Sequence, residues 1–499
     1  MDFDCLGSPR PVLRIGSMHR VAGLVVAATV LVLAPLSLAR AASHSPPNAG
    51  GLTSVAGVPL NRVVAPASLF EALAAIHKKI PAFSRQTGLA CSSCHYQFPQ
   101  LTPFGRLFKL NGYTLTGLQT IGQPGDTAGK ESLKLSPIPG IAAMLVSSVT
   151  QTGKAPPGTQ NTTANFPDEF SLFAAGALTP KIGAFTQFTY EAGEGSFGID
   201  NVDIRYANHS TLSNRDWIYG LTLHNNPTVQ DVWNTVPAWG YPFMASSAAP
   251  SPIASTLIDG GLEQQVLGLG AYSLYNNLLY TEFTVYRSAP QGFAVPLDST
   301  AENTTSGVVP YWRVALQHES PSTSLMLGTF GFDAHLFPTG VSGPRDHFSD
   351  FAVDAQVEQR QGKATWIGRA SYIHETRQLA ATATAGGADN VDQHLSTARA
   401  SVGYLPNLRY SFNLGYFQTT GTADATLYAP GDVVGSRTGS PNTGGVIGEI
   451  NYNAWQNTRV GLQYVAYSKF NGSSSAYDVA GGRGAADNNN LYLYVWIAF

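Results

Sequence analysis

The clearest chemistry in this chain of 499 residues lies in the stretch Leu89–Pro99, LACSSCHYQFP. Cys91 and Cys94 are separated by two residues, and His95 follows directly. Two thiols at this spacing can each form a thioether with one of the two vinyl groups of a haem, and the adjacent histidine can ligate the iron from one face. The motif therefore predicts one covalently attached haem c.

Three other uses of the cysteine pair were weighed. A zinc site with four protein ligands needs further cysteine or nearby histidine ligands, and the chain has no second cysteine pair. A thioredoxin-like dithiol is expected next to a βαβ pattern, which the sequence lacks. A structural disulfide between Cys91 and Cys94 stays open as the alternative to haem.

The sixth position of the iron is predicted from the surrounding sequence. Our first choice is His77, on a helix expected from Pro66 to Lys79, with a surface position beside Lys78 as the alternative. Met144 and Met244 are weaker candidates, and Met144 is expected to face lipid or to pack in the first strand. A water-bound site is a further alternative. The other histidines show no metal-binding spacing and are predicted to lie in the lumen or at the rim (positions 209, 224, 318, 335, 347, 374 and 394).

A small α-helical module, residues 58–130, is expected around the motif. Thr102 suits the N-cap of a helix, Pro103 its first turn, and Gly112 a position just beyond its end. Apolar residues between these caps are predicted to cover a porphyrin face (Phe104, Leu107, Phe108 and Leu110). Because such a module is too small to bury a haem alone, we expect it to form a plug in the lumen of the following domain or on its periplasmic side.

The amino terminus reads as a secretory signal peptide, residues 1–42. Arg14 and Arg20 precede the apolar run Val21–Leu38, and the cleavage-type sequence Ala39-Arg40-Ala41-Ala42 follows. Met18 is an alternative start, which would remove Cys5, and a retained membrane anchor is the alternative to cleavage. Residues 43–57, rich in Ser, Pro and Gly, are predicted to be a flexible leader.

Residues 131–499 are predicted to form a mainly β domain, a transmembrane antiparallel barrel of about 16 strands. Apolar and polar residues alternate in many segments; Tyr410, Phe412, Leu414 and Tyr416, for example, alternate with small or polar residues. Charged residues make up only 12% of the chain, compared with about 25% in soluble domains. The net charge of −3 gives no reason to expect a nucleic-acid partner.

The connections between the predicted strands support this barrel. Tight turns are expected at 179–180, 276–277, 320–323, 360–363, 405–408 and 455–459. Long polar loops lie between them, at 153–168, 227–263, 289–309, 377–393, 422–442 and 473–489, with shorter ones near 193–196 and 338–347. Short turns on one side and long loops on the other are typical of outer-membrane barrels. A soluble all-β protein is the alternative.

The flanks of the motif carry a family resemblance. The residues Ile80–Gly88, CSSCH, Phe98-Pro99, Leu101–Arg106 and Gly112-Tyr113 resemble the fused cytochrome–porin family. This resemblance implies one c-type haem ahead of an outer-membrane barrel. It also implies extracellular ferrous iron, or another external redox partner, as the electron donor, with a periplasmic cytochrome as acceptor and outer-membrane lipid around the barrel. The iron-oxidising members usually carry Ala at the position of Ser84, so family membership is the stronger expectation and iron the weaker one.

Two arginines flank the predicted site. Arg85 and Arg106 are expected either to pair with haem propionates, or to face water or line the lumen. Two other functions stand beside electron transfer from iron. One is a passive porin or uptake channel whose cysteines form a disulfide, and the other is outward electron transfer to an external acceptor.

Overall fold

The computed structural model describes residues 81–115, 140–191, 195–236, 244–288, 303–338 and 343–499. The predicted signal peptide (1–42), the leader (43–57), the helix proposed to carry His77 and both ends of the module (58–80 and 116–130) lie outside the described residues. Within the described ranges, no helix combines the length and apolar character needed to cross a bilayer.

The main architecture is one closed antiparallel sheet, as predicted. Its 17 strands include the two-residue strand Thr304–Thr305, which leaves 16 strands in the barrel wall. Each wall strand pairs with its neighbours in sequence, and β16 pairs with β1, where Tyr494 lies opposite Ser148. The strands are β1 Ile141–Thr152, β2 Thr162–Ala177, β3 Ile182–Glu191, β4 Ser196–Leu212, β5 Arg215–His224, β6 Val266–Tyr275, β7 Leu279–Ser288, β8 Val309–Glu319, β9 Thr323–Phe337, β10 Asp346–Gln361, β11 Ala364–Gln378, β12 Asp392–Leu405, β13 Tyr410–Gly421, β14 Thr443–Trp455, β15 Thr458–Lys469 and β16 Asn490–Ala498.

The connections form two different ends of the barrel. At the end we call the short-turn end, turns such as Asn276-Asn277 join the strands directly, and both of these residues have positive φ (53° and 50°). Asparagine tolerates this left-handed conformation, which suits a two-residue hairpin. The turn Ser213-Asn214, also at positive φ, belongs to the same end and was not among the predicted ones. The opposite, long-loop end carries the extended connections, including residues 225–265 and 422–442.

The two faces of the wall have opposite character. Apolar side chains alternate outward and exposed on many strands, for example Leu267 and Leu269 on β6 and Leu325 and Leu327 on β9. Their sequence neighbours point inward and are buried. A closed sheet leaves no strand edge unpaired, so all its backbone polar groups are satisfied within lipid. The apolar outer surface is the second feature that a lipid-spanning barrel needs.

The lumen contains the predicted haem motif and the residues on both sides of it. Helices α1 (Ala82–Thr87), α2 (Cys91–Cys94) and α3 (Pro103–Leu110) lie there, with a short antiparallel ladder between His95–Gln97 and Gln100–Leu101. Helix α3 begins as predicted: Thr102 is its N-cap and accepts a hydrogen bond from the Gly105 N–H. Gly112 follows its end with φ 66°, also as predicted.

Two short elements remain at the long-loop end. Helix α4 (Ala380–Thr384) lies in the connection between β11 and β12, and a 3₁₀ turn, Ala485–Asn488, precedes β16. Both lie in regions predicted to be long loops, so these loops contain some regular structure of their own.

Candidate haem-attachment site

The two cysteines lie on one helical turn. Helix α2 consists of Cys91–Cys94 alone, and both thiols are half-buried and unlinked. Burial and the nearby Cys91 thiol raise the pKa of Cys94 to about 11. The Ser84 hydroxyl lies 3.7 Å from the Cys91 sulfur.

The orientation of His95 follows from one hydrogen bond. Its Nδ1 lies 3.1 Å from the carbonyl oxygen of Pro99. A carbonyl oxygen only accepts, so Nδ1 carries the proton and Nε2 keeps a free lone pair. Burial lowers the pKa of His95 to about 4, which keeps the imidazole neutral at neutral pH. A neutral imidazole with a fixed Nδ1–H is the form in which histidine ligates a metal through Nε2.

Helix α3 is held directly against the motif. The Thr102 N–H donates to the Cys94 carbonyl (2.9 Å), and the Thr102 hydroxyl donates to the Ser93 carbonyl (2.7 Å). A Cβ added to Gly105 would lie only 2.2 Å from the Cys94 carbonyl oxygen. Gly105 therefore allows an approach of the two backbones that a larger residue would prevent.

A large apolar cavity opens beside the motif. Its empty space is about 1690 Å³, open solvent included, and Cys91, Cys94 and His95 all line it. Most of the remaining lining is apolar or aromatic (Phe83, Leu89, Phe98, Phe108, Met144, Phe173, Phe185 and Trp496). Two thiols, a neutral imidazole and an apolar lining are the chemistry that a covalently held haem requires.

Of the four residues that were predicted to cover a porphyrin face, one lines the cavity and three do not. Phe108 lines the cavity as expected, whereas Phe104 is 38% exposed and does not. Leu107 and Leu110 pack instead in a cluster with Trp233 and Tyr272. The barrel supplies much of the cavity wall, and sequence reasoning missed this contribution because those strands lie far along the chain. The clearest example is Trp496, whose ring centroid lies 5.0 Å from that of Phe98.

Two of the predicted axial candidates, Met144 and Met244, lie near the motif. Met144 points inward and lines the cavity, so the expectation that it faces lipid is wrong. Met244 packs against the same buried cluster, which contains Met144 and Trp496. His77 lies outside the described residues.

The two flanking arginines both contact the barrel wall. Arg106 is buried and forms ion pairs with Glu358 (2.6 Å) and Glu319 (3.0 Å) of the barrel wall. Its guanidinium therefore lines the lumen, which was one of the positions expected for it. Arg85 donates a hydrogen bond to the carbonyl oxygen of Ile141 at the start of β1.

The motif lies near the short-turn end of the barrel. The Ser92 N–H donates to Gln456 Oε1 (3.4 Å) in the turn between β14 and β15, and Leu408, from another short turn, lines the cavity. Residues 225–236 of the long loop fold into the lumen and meet the module from the other side, where Lys109 donates to the Val229 carbonyl. The site is thus built between the short turns and an inward-folded loop.

These observations define a class of protein: a 16-stranded transmembrane β-barrel whose lumen is occupied by a cysteine-bearing helical segment. No protein-family model matches the chain, and no curated protein matches it. It is similar to solved structures of outer-membrane proteins, at low sequence identity.

OmpF of Salmonella typhi in complex with daunomycin shares 10% identity and covers 74% of this chain and 98% of its own, with a TM-score of 0.41. The outer-membrane channel DcaP of Acinetobacter baumannii shares 11%, covering 72% and 96%, with a TM-score of 0.42. A loop-deletion mutant of OmpT from Vibrio cholerae shares 8%, covering 72% and 98%, with a TM-score of 0.41.

Proposed function

We propose that the protein is an outer-membrane electron-transfer haemoprotein of the fused cytochrome–porin type. The observation that carries this proposal is the arrangement of Cys91, Cys94 and His95 around an apolar cavity inside the barrel. His95 is already fixed with its Nδ1–H on Pro99, as an iron-ligating imidazole requires.

The residues of the chain have separable roles in this proposal. Cys91 and Cys94 would hold a haem c through two thioethers, and His95 would ligate its iron through Nε2. Such a haem supplies a one-electron carrier. The aromatic lining excludes water from this carrier, and both burial and hydrogen bonds set its potential. Met144, in the cavity wall, and His77 are the two candidates for the remaining axial position.

The placement of the site suggests the direction from which a partner reaches it. Because the motif borders the short turns, a soluble periplasmic cytochrome is the natural acceptor on that side, provided that the short turns face the periplasm. An extracellular donor, with ferrous iron as the leading candidate, would act from the long-loop end. Electrons would also pass outward through the same site to an external acceptor if the order of the redox potentials of the two partners were reversed.

A passive porin is the second candidate function, and the barrel itself favours it. A 16-stranded wall can enclose an aqueous channel. Against free passage, the lumen holds helices α1 to α3 and the inward-folded loop, with Leu110 and Trp233 in one buried cluster. Conductance of the purified protein in planar bilayers measures how much passage remains.

The deciding experiment is haem staining of the protein in a denaturing gel after expression with a haem-attachment system. We expect covalent haem in the wild type and in the control Ser92→Ala, and its loss in Cys91→Ala. If the wild type does not stain and Cys91 and Cys94 are recovered as a disulfide, the haemoprotein proposal is wrong and the passive porin is the function that is left.

The donor is then tested by redox titration and by stopped-flow mixing of the oxidised protein with ferrous iron. Prompt haem reduction supports iron as donor. A strongly negative midpoint potential without reduction by iron excludes this donor and points to outward flow. Substituting Met144→Leu and His77→Ala separately, with the haem spectrum as readout, assigns the axial ligand.

A further inference from the structure

A second group of metal-ligating side chains lies on the outer surface of the barrel, away from the cysteines. Asp333 and His335 belong to β9 and His347 to β10. One ligand atom from each of the three lies within 4.8 Å of the others. The group shares no residue with the haem-attachment site.

The strand geometry brings these residues together. Asp333 and His335 are two positions apart, so both point to the same face of β9. That face is the outer one, because the intervening Ala334 is fully buried. In the register of the pair, His347 lies directly opposite His335. The side chains are therefore positioned by two paired strands, which hold them more firmly than loops would.

The distances are close to those that a bound ion requires. His347 Nε2 lies 2.8 Å from Asp333 Oδ2, and His335 Nδ1 lies 3.9 Å from Asp333 Oδ1. Ligands about 2.1 Å from a common ion lie roughly 3 to 4 Å apart, so small side-chain rotations complete the geometry. The two imidazole rings stack with centroids 4.3 Å apart. A hydrogen bond between His347 and Asp333 explains the orientation of the His347 ring. His335 Nδ1 lies 3.9 Å from Asp333, too far for a hydrogen bond, so this carboxylate does not explain the orientation of the His335 ring.

The group is partly exposed on the outer surface of the barrel. The side chains of Asp333, His335 and His347 are 47%, 39% and 31% exposed. They lie at the end of β9 and the start of β10, next to the long-loop end. The cation of Arg345 is nearby, but its guanidinium is hydrogen-bonded to Ser306 (3.2 Å).

We propose that Asp333, His335 and His347 form an exchangeable site for a divalent first-row transition-metal ion at the long-loop rim. Two imidazoles and one carboxylate are the donor set that suits Fe²⁺, Co²⁺, Ni²⁺ or Zn²⁺, and hard ions such as Mg²⁺ and Ca²⁺ prefer oxygen-only sites. Three protein ligands leave coordination positions free for water, so the ion can exchange with the medium.

The test is equilibrium dialysis of the full-length protein in detergent against Co²⁺, with metal analysis of the retained protein. We expect the double variant His335→Ala/His347→Ala to lose one equivalent of Co²⁺ relative to the wild type, and Asp333→Asn to bind at least tenfold more weakly. A 100-fold excess of Mg²⁺ should not displace the ion, whereas Zn²⁺ should.

The matched control is His374→Ala/His394→Ala. These histidines form another cross-strand pair, with ring centroids 6.2 Å apart, but no third ligand completes a group with them in the described part of the chain. The control should keep the wild-type stoichiometry. Retention of Co²⁺ by the His335/His347 variant, or equal loss in the control, overturns the proposal. Since the substituted residues point away from the lumen, heat-modifiable migration in a gel verifies that each variant retains its barrel.

Discussion

The Arg106 guanidinium lies 2.6 Å from the Glu358 carboxylate, and this buried ion pair joins the lumenal segment to the barrel wall. The two residues are separated by 252 positions in the sequence. Arg106 also reaches Glu319 and the Ser324 hydroxyl, so one side chain bridges three groups on strands β8 to β10. Arg106 thereby fixes helix α3, and with it the motif that α3 packs against.

We expect Arg106→Ala to release the lumenal segment while the barrel remains intact. Removing one partner of a buried ion pair leaves an uncompensated charge, at a cost of about 3–5 kcal/mol. Limited proteolysis should cut near residues 81–115 in the variant and not in the wild type, and covalent haem should decrease. Arg409→Ala, at an exposed short turn, is the control and should behave as the wild type. Equal protection of both variants would show that other contacts hold the segment.

The wall of this barrel could largely be predicted from local sequence. Period-two alternation identified its strands because one face meets lipid along the whole strand, as Leu414 and Tyr416 show. The cap at Thr102 and the turn at Asn276-Asn277 were also predictable, since each depends on the chemistry of a few adjacent residues. The turn Ser213-Asn214, which has positive φ at both residues, was not predicted.

The contacts that build the sites could not be predicted in this way. Trp496 meets Phe98, and Glu358 meets Arg106, only after the sheet has closed. The same reason explains why His335 and His347 showed no metal-binding spacing: their proximity comes from cross-strand register, which a reading along one strand does not contain. The CSSCH motif can therefore be recognised from the local sequence. Which residues surround it in space depends on the topology of the barrel.

We expect Gly105→Ala to impair haem attachment. The added Cβ would meet the Cys94 carbonyl oxygen at 2.2 Å, and overpacking of this kind costs about 1–3 kcal/mol. The strain falls on α2, which must present both thiols. Haem content per mole of folded protein is the measurement. Gly448→Ala, where the added Cβ would meet no heavy atom within 4 Å, is the matched control. Full haem content in both variants would contradict the proposed role of Gly105.

We expect Ser84→Ala to lower the midpoint potential of the haem-loaded protein. The Ser84 hydroxyl lies 3.7 Å from the Cys91 sulfur, and a hydrogen-bond donor beside a redox group favours its more electron-rich, reduced form. Potentiometric titration gives the midpoint potential of the variant. Ser92→Ala, on the helical turn that carries both cysteines, is the control. An unchanged potential in Ser84→Ala would mean that this hydroxyl does not tune the site. This prediction depends on haem attachment and fails with it.

Lys109 makes the stability of the lumenal segment depend on pH. Burial, aided by the nearby Arg205 charge, lowers the pKa of Lys109 from 10.5 to about 8, although Asp203 lies 4.0 Å away and favours the charged form. Between these two values the unfolded segment binds more protons than the folded one. Folding stability therefore rises as the pH increases from about 8 towards 10.5, and it is independent of this group below about 8.

Hydrogen exchange of the amides in α3 should consequently slow down, after correction for intrinsic rates, as the pH increases through this window. The shift in pKa corresponds to about 3 kcal/mol of stability at most, since one pKa unit is equivalent to 1.36 kcal/mol. Lys109→Met removes the titrating group and should abolish the dependence, whereas Lys154→Met, at an exposed loop, should preserve it. A pH dependence that persists in Lys109→Met would assign the effect to another group in the lumen.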